Sequence, residues 1–312
     1  NVSKPFCKIV GMPMNWDDMR VFLAVARAEG LTAAAPVLKM DPATLGRRVA
    51  RLEASIGGAL FVKSPQGYAL TSLGERMRDY AVEAEAALAQ AIEIGQAPAS
   101  GLSGQVRIGA PDGAANFLLP QVCAAIQRDN PDLEVQILAL PRVVNLSRRE
   151  ADMAITVSPP AAGRLTVQRV TDYQLHLATR RDAVPIRSLD DLRGRPIVGY
   201  IPDMIFDKEL DYLGNLGADG VQLASNSVAV QMQMVRHAGV GIVHDFALPA
   251  VPELTRVLVD EVNLSRSFYL VRHATDRQSA RLTKFAAALV AGLQAEVTRL
   301  EEVARLTDAP LI

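Results

Sequence analysis

The spacing of apolar residues changes character once along this 312-residue chain, across Pro98–Gly104 (PASGLSG), and that change limits what the chain can fold into. Before it, apolar positions recur at helical spacing. Beyond it, strand-like runs alternate with helical ones, among them a helical run over 114–128 and a strand over 174–178, which predicts an α/β unit with largely parallel sheets. A linker of small and turn-forming residues between two such textures separates two units, and the length suits about two domains at roughly 150 residues each. Apolar residues make up 49% and charged residues 21%, enough for both units to bury a core. That balance excludes disordered, collagen-like and disulfide-framework chains. The net charge of −1 supplies no global field for nucleic acid or anionic membrane, so such binding must come from a local patch. The longest apolar stretch, Phe285–Leu293, falls far short of the ~20 residues of a bilayer span. Residues 1–13 lack periodicity and the long apolar run of a secretory signal. They are expected to be a disordered leader, either a cloning remnant or an upstream extension. Cys7 and Cys123 have no metal or redox spacing, and the chain reads as soluble and cytoplasmic, with no membrane partner.

From Asn15, an N-cap, Met19, Phe22, Leu23 and Ala26 form one helical stripe, and Gly30 is expected to close that helix. Thr32 is expected to cap a short helix through Leu38 that tolerates Pro36 only because Ala34, Ala35 and Leu38 pack. Asp41-Pro42 then starts a third helix with a capping carboxylate and a proline at the first position. Leu45, Val49, Leu52 and Ile56 are its inward face. Its other side carries Ala43, Thr44, Gly46, Arg47, Ala50 and Arg51, with Arg48 on the flank. Leu60–Lys63 and Tyr68–Leu70 around Ser64-Pro65-Gln66-Gly67 predict a hairpin. Thr71 caps a helix to about Gln96, whose Met77, Ala81, Ala84, Leu88, Ala91 and Gly95 follow the 3.5-residue period of a coiled-coil seam. A stripe of that kind needs a second helix, which argues for a dimer.

Two short helices, a tight connection and an arginine-faced second helix compose a helix-turn-helix with a following wing. In such a unit the second helix enters the major groove with its N-terminal residues at base edges. Residues 39–63 hold Lys39, Arg47, Arg48, Arg51 and Lys63 against Asp41 and Glu53, a local net charge of +3 hidden by the neutral whole. Thr44, Arg47 and Arg51 share a face, and an arginine fork grips guanine or phosphate in two places. Taken alone, the same pattern also fits a solvated basic face in an ordinary helical bundle.

Residues 14–75 resemble the DNA-binding domain of LysR-type transcriptional regulators. The resemblance runs without gaps through Met19-Arg20-Val21-Phe22, Leu31-Thr32 with Ala34-Ala35 and Leu38, Ala43–Leu45 and Arg47. It continues through Leu52-Glu53, Ile56-Gly57, Leu60-Phe61 and Leu70-Thr71 with Gly74. It implies an all-α winged helix-turn-helix domain over 14–71, a linker dimerisation helix over 72–97 and a hinge over 98–104. An α/β two-lobed effector-binding domain would follow over 105–312, with lobe I about 105–160 and 265–312 and lobe II about 165–262. It also implies a sequence-specific, ligand-responsive regulator with no enzymatic activity and no cofactor, acting as a homodimer or homotetramer. Its partners would be double-stranded DNA, a small-molecule effector and, indirectly, RNA polymerase. Thr32, Ala43, Thr44, Arg47, Arg48, Arg51 and Lys63 are the implied DNA contacts. The chain departs from the family pattern at Pro42-Ala43, where Gln-Pro is usual, at Gly46 for serine, and at Gln66 for a basic wing residue.

In the second half, loops after strand ends that lead into helix N-termini are the physical ingredients of a cleft site. Pro111-Asp112-Gly113-Ala114 follows strand 106–110, Ser158 and Tyr200-Ile201 follow two more, and Ser225-Asn226-Ser227 opens a helix. Asp112 stands where relatives often place a hydroxyl; it repels a carboxylate and suits a hydroxyl or amine. Ser227 is equally a structural cap, and His244 either reaches the cleft or is a buried structural histidine. The expected effector-binding set is thus Asp112, Gly113, Ala114, Ser158, Tyr200, Ile201, Ser225, Ser227 and His244. Cys123 in its apolar stretch is expected to be a core thiol. His176, His237, His244 and His273 lack metal-site spacing, and Gly239-Val240-Gly241 is too short for a dinucleotide fingerprint. A competing reading is a cytoplasmic small-molecule binding protein whose N-terminal module only dimerises.

Overall fold

The computed structural model describes residues 15–64, 67–96, 101–139, 150–160, 163–205, 207–210, 212 and 220–308. They form two units, 1–97 and 98–312. The expected leader and the wing residue Gln66 lie outside the described residues.

The first unit is three helices, a hairpin and a long helix: α1 (Trp16–Ala28), α2 (Leu31–Leu38), α3 (Pro42–Ile56), β1 (Phe61–Ser64), β2 (Gly67–Leu70) and α4 (Ser72–Gln96). Asn15 caps α1 by accepting from the Asp17 N–H, and Asp41 caps α3. Two expected caps are corrected. Glu29, at φ 55°, closes α1, while Gly30 instead precedes α2 with no side-chain cap, so Thr32 lies inside the helix and exposed. The two helices are joined by two residues only, Glu29 closing the first and Gly30 opening the second. Phe22, Leu23, Leu45, Leu52 and Leu60 are fully buried in one core with Val21 and Val25, each large side chain contributing about 1.5–3 kcal/mol. Glu53 accepts from the N–H groups of Leu60 (2.8 Å) and Phe61 (3.3 Å), fixing the entry to the hairpin. At Gly74 a Cβ would lie 2.1 Å from the Leu60 carbonyl oxygen, so only glycine lets α4 pass that backbone. Thr71 caps α4 through the Gly74 N–H at 2.9 Å.

The expected seam on α4 is also revised. Ala81 is buried and Met77 packed in the unit's own core, alongside Val82, and Arg27 of α1 reaches Glu85. Along that half the stripe serves its own chain. Tyr80, Leu88 and Ala91 are exposed.

The second unit contains β3 (Gly104–Ala110), α5 (Asp112–Phe117), α6 (Leu119–Asp129), β4 (Leu133–Ala139), β5 (Met153–Thr156), β6 (Leu165–Arg180) and β7 (Ile197–Gly199). It continues with β8 (Leu223–Ala224), α7 (Val228–Ala238), β9 (Val240–His244), β10 (Leu254–Arg256), β11 (Asn263–His273) and α8 (Ala280–Asp308). The sheet runs β4-β3-β5-β11-β6-β9-β7-β8, with β10 on β6. Parallel pairing is confined to β4-β3-β5 and β9-β7-β8, and the long β6 and β11 between them are antiparallel to their neighbours. The expectation of largely parallel sheets is therefore half right: parallel patches form each lobe, and antiparallel strands tie them. β6 has 16 residues, about 50 Å at ~3.3 Å each, long enough to serve both lobes. Only its second half was expected as a strand, because Gln168, Arg169, Thr171 and Asp172 make the first half polar. A register shift between Phe268 and Tyr269 lies where β11 passes from one patch to the other.

Two further boundaries move. The stretch 114–128 is two helices: Pro120, whose missing N–H would break the ladder of one continuous helix, sits in the first turn of α6, where no intrahelical bond is lost. At the expected hinge, Leu102 is already in the second core, its N–H bonded to Asn130 at 2.7 Å, and Gly104 opens β3. Helix α8 packs against α6 of one lobe and the turn at 245–250 of the other, bracing both.

Candidate functional site

The first candidate surface is the outward side of α3. Asp41 accepts twice from Thr44, from its N–H at 2.8 Å and its hydroxyl at 2.6 Å, and these bonds hold the Asp41 carboxyl below the usual carboxylate range. The Thr44 hydroxyl in turn accepts from Arg47 at 3.0 Å. One chain of bonds from the N-cap thus pre-orders the guanidinium one turn into the helix, where a groove-inserted helix meets bases. Ala43 and Arg47 are exposed and Thr44 is half-buried.

Arg48 and Arg51 are differently placed. Arg51 grips Asp18 of α1 with two nitrogens, Nε at 2.6 Å, while Arg48 lies 3.7 Å from the same carboxylate and 4.0 Å from Asp17. Asp18 is only 2% exposed, whereas the Arg51 side chain is 61% exposed. Local charge along the sequence counted these arginines as free cations; in space, carboxylates from a different helix offset them. No pattern around Asp17-Asp18 announces this, since two acids in a first helical turn are already explained by the helix dipole. Lys63 pairs with Tyr68 through the backbone of the hairpin.

The second candidate is the cleft at the strand ends of the two lobes. Asp112, at the start of α5, reaches across to the N-terminus of α7: its Oδ2 accepts from the Ser227 hydroxyl at 3.0 Å and the Ala229 N–H at 3.1 Å. Ser227 also caps α7 at Val230 (3.3 Å), and its own N–H donates to Ser225 Oγ at 3.1 Å. Ser158, after β5, donates to Asp207 on the opposite lobe. Gly113 faces His244: a Cβ there would lie 3.5 Å from the imidazole Cε1. Ala114 is buried in the core, and Ile201 is half-buried beside the cleft.

His244 is buried within an aromatic group, stacked on Tyr173 at 5.4 Å and near Phe246 at 5.0 Å, with Tyr212 edge-on at 6.3 Å. Burial lowers its pKa to about 4, against the opposing pull of Asp245, and its Nδ1 has no hydrogen-bond partner among the described residues. Burial, reinforced by the Asp112 charge, raises the Tyr200 pKa above the ordinary phenol value. The Tyr200 and Tyr212 rings meet edge to face at 5.9 Å at the wall of a cavity of about 310 Å³ with Val198, Ile205 and Ile242. Of the expected residues, Asp112, Ser225 and Ser227 are joined by hydrogen bonds, Gly113 faces His244 and Tyr200 lines the cavity, while Ala114 belongs to the core. Asp207, Asn116 and Tyr212 complete the arrangement and carry no local motif that would single them out. Cys123 is buried, and burial pushes its thiol up to about 12, as suits a core residue.

Two family models match the chain. The one described as bacterial regulatory helix-turn-helix protein, lysR family, covers residues 16–75, and the LysR substrate binding domain covers residues 99–294. The chain is 31% identical over 172 residues to the Mau operon transcriptional activator of Paracoccus denitrificans, spanning 55% of this chain and 60% of that protein. It is 26% identical over 246 residues to the HTH-type transcriptional regulator PtxR of Pseudomonas aeruginosa, covering 75% of this chain and 77% of that one. Full-length OxyR from Pseudomonas aeruginosa shares the fold with a TM-score of 0.67 at 17% identity, over 90% of this chain and 98% of that chain.

Proposed function

The chain belongs to the LysR family of transcriptional regulators, and on that premise we propose that it is a sequence-specific, effector-responsive DNA-binding protein that works as a homo-oligomer. The observation that carries the DNA-binding reading is the bond chain Asp41–Thr44–Arg47, which presents an ordered guanidinium on the exposed face of α3. Arg47 reads a base edge or the phosphate beside it, Ala43 and Thr44 make close contacts, and Arg48, Arg51, Lys63 and Thr32 position the backbone. The exposed Tyr80, Leu88 and Ala91 on α4 support dimerisation through that helix, with pairing of dimers into a tetramer as the finer expectation.

A small-molecule effector occupies the inter-lobe cleft among Asp112, Ser158, Tyr200, Ser227 and His244. Its binding shifts the lobes and, through the oligomer, the spacing or bend of the bound DNA; RNA polymerase is affected indirectly. Footprinting on DNA flanking the protein's own gene, with competitor DNA, tests the reading. Protected half-sites a helical turn or a multiple apart are expected, about 10 base pairs per turn, with loss of protection in Arg47→Ala. Binding that stays weak and indifferent to sequence across a genomic selection would overturn it.

A further inference from the structure

The first-turn N–H groups of a helix lack intrahelical acceptors and lie at the positive end of its dipole, so they hold anions. In α7, an 11-residue helix, that place is taken by a carboxylate of the chain itself. Asp112 Oδ2 receives the Ser227 hydroxyl and the Ala229 N–H, and Oδ1 receives the Asn116 carboxamide at 3.0 Å. All these donors are neutral: a hydroxyl, a backbone amide and a side-chain amide. The two ends belong to different lobes, so the bond is also a clasp across the cleft, and Ser158 to Asp207 is a second one. Among the described residues, the groups that meet the clasp bring no positive charge to offset a second negative one. His244, against Gly113, is held neutral at physiological pH by its burial, and Tyr200 is kept protonated by its burial and by Asp112.

We infer that Asp112 is a tethered anionic ligand of the α7 N-terminus: it joins the two lobes and closes this position to free carboxylates and oxyanions. The inference rests on the cleft being the effector site, and it narrows the effector to molecules whose recognition does not depend on an acid group at α7. It also makes the position latent: without the Asp112 carboxylate, Ser227 and Ala229 become an open anion site.

The test uses the full chain at pH 7, titrated with benzoate and with inorganic sulfate and followed by calorimetry and thermal shift, with no DNA present. Wild type is expected to show no saturable binding of either. Asp112→Ser is expected to gain saturable binding, tighter than wild type by roughly tenfold or more, the scale of one charge-assisted hydrogen bond. Adding Ser227→Ala is expected to take most of that gain away. Asp112→Asn keeps an acceptor oxygen while losing the charge, so it should fall between the two and serves if the serine variant does not fold. Wild-type affinity equal to that of Asp112→Ser would overturn the inference, as would the absence of any gain in the variants. Because the titration needs no DNA, its failure leaves the footprint of the wild-type protein, and with it the regulator reading, untouched.

Discussion

Asp18, buried, and Asp112, half-buried, are carboxylates held by hydrogen bonds, one in each unit, and they are balanced in opposite ways. Asp18 lies beneath α3 and is met by the Arg51 and Arg48 guanidiniums, so two cations are partly neutralised from below. Asp112 is met by a hydroxyl and amides at a helix end, so its charge is stabilised without being cancelled. The first arrangement adjusts the strength of a cationic surface while keeping its geometry. The second joins two lobes and leaves a negative charge in the cleft. The same side-chain chemistry thus sets a surface field in one place and a ligand preference in the other.

The widest separation between the units is expected with pH. His244 has a folded-state pKa of about 4 against 6.5 for the free side chain, so the unfolded chain takes up a proton first as pH falls. Its stabilising share is complete above 6.5 and is lost progressively from there down to 4, at most about 3 kcal/mol in total. Thermal denaturation between pH 7 and 4 should show the second unit weakening across that window, with the slope flattened in His244→Gln. The sign is the same in the first unit but the window is lower: the lowered pKa of Asp41 means its contribution fades only as pH falls below the ordinary carboxylate value. A first unit that weakened in step with the second would break the contrast.

Next in size is the difference between two arginines on one helix. Arg47→Ala is expected to weaken binding to the protected operator by about 1–3 kcal/mol, with the salt slope reduced by about one if a phosphate contact is lost. Arg51→Ala should cost less affinity but lower stability, because the buried Asp18 loses its two-pronged partner. Fluorescence anisotropy against salt, alongside denaturant melts, separates the two effects. Equal losses of affinity would mean that the Asp18 pair does not hold Arg51 back from DNA.

Smaller still, Asp18→Asn removes the charge beneath the basic face. Non-specific DNA affinity should then rise and its salt slope steepen by about one unit as the arginines are released. In the other unit, Ser227→Ala removes both the α7 cap and a donor to Asp112, lowering stability by about 1 kcal/mol. That loss should persist at high salt, where the Asp18 variant's effect on DNA binding is screened away.

Much of this protein was written locally. The Asp41-Pro42 start, the Leu45–Ile56 inward stripe and the Thr71 cap each depend on residues within a turn or two of one another, and each appears where expected. The candidate cleft residues could be proposed because strand ends and helix starts carry their own signals. What sequence alone left out depends on partners distant in the chain. Arg51 meets Asp18 33 residues away, Asp112 meets Ser227 115 residues away, and Ser158 meets Asp207 49 residues away. The same holds for the polar first half of β6, which is a strand because β11 runs beside it, and for Met77 and Ala81, which turn inward because α1 lies against α4. Hydrophobic periodicity and capping are properties of one segment and so can be read along the chain. Charge compensation and strand pairing between remote segments are set by which surfaces the core brings together, and only the tertiary structure decides them.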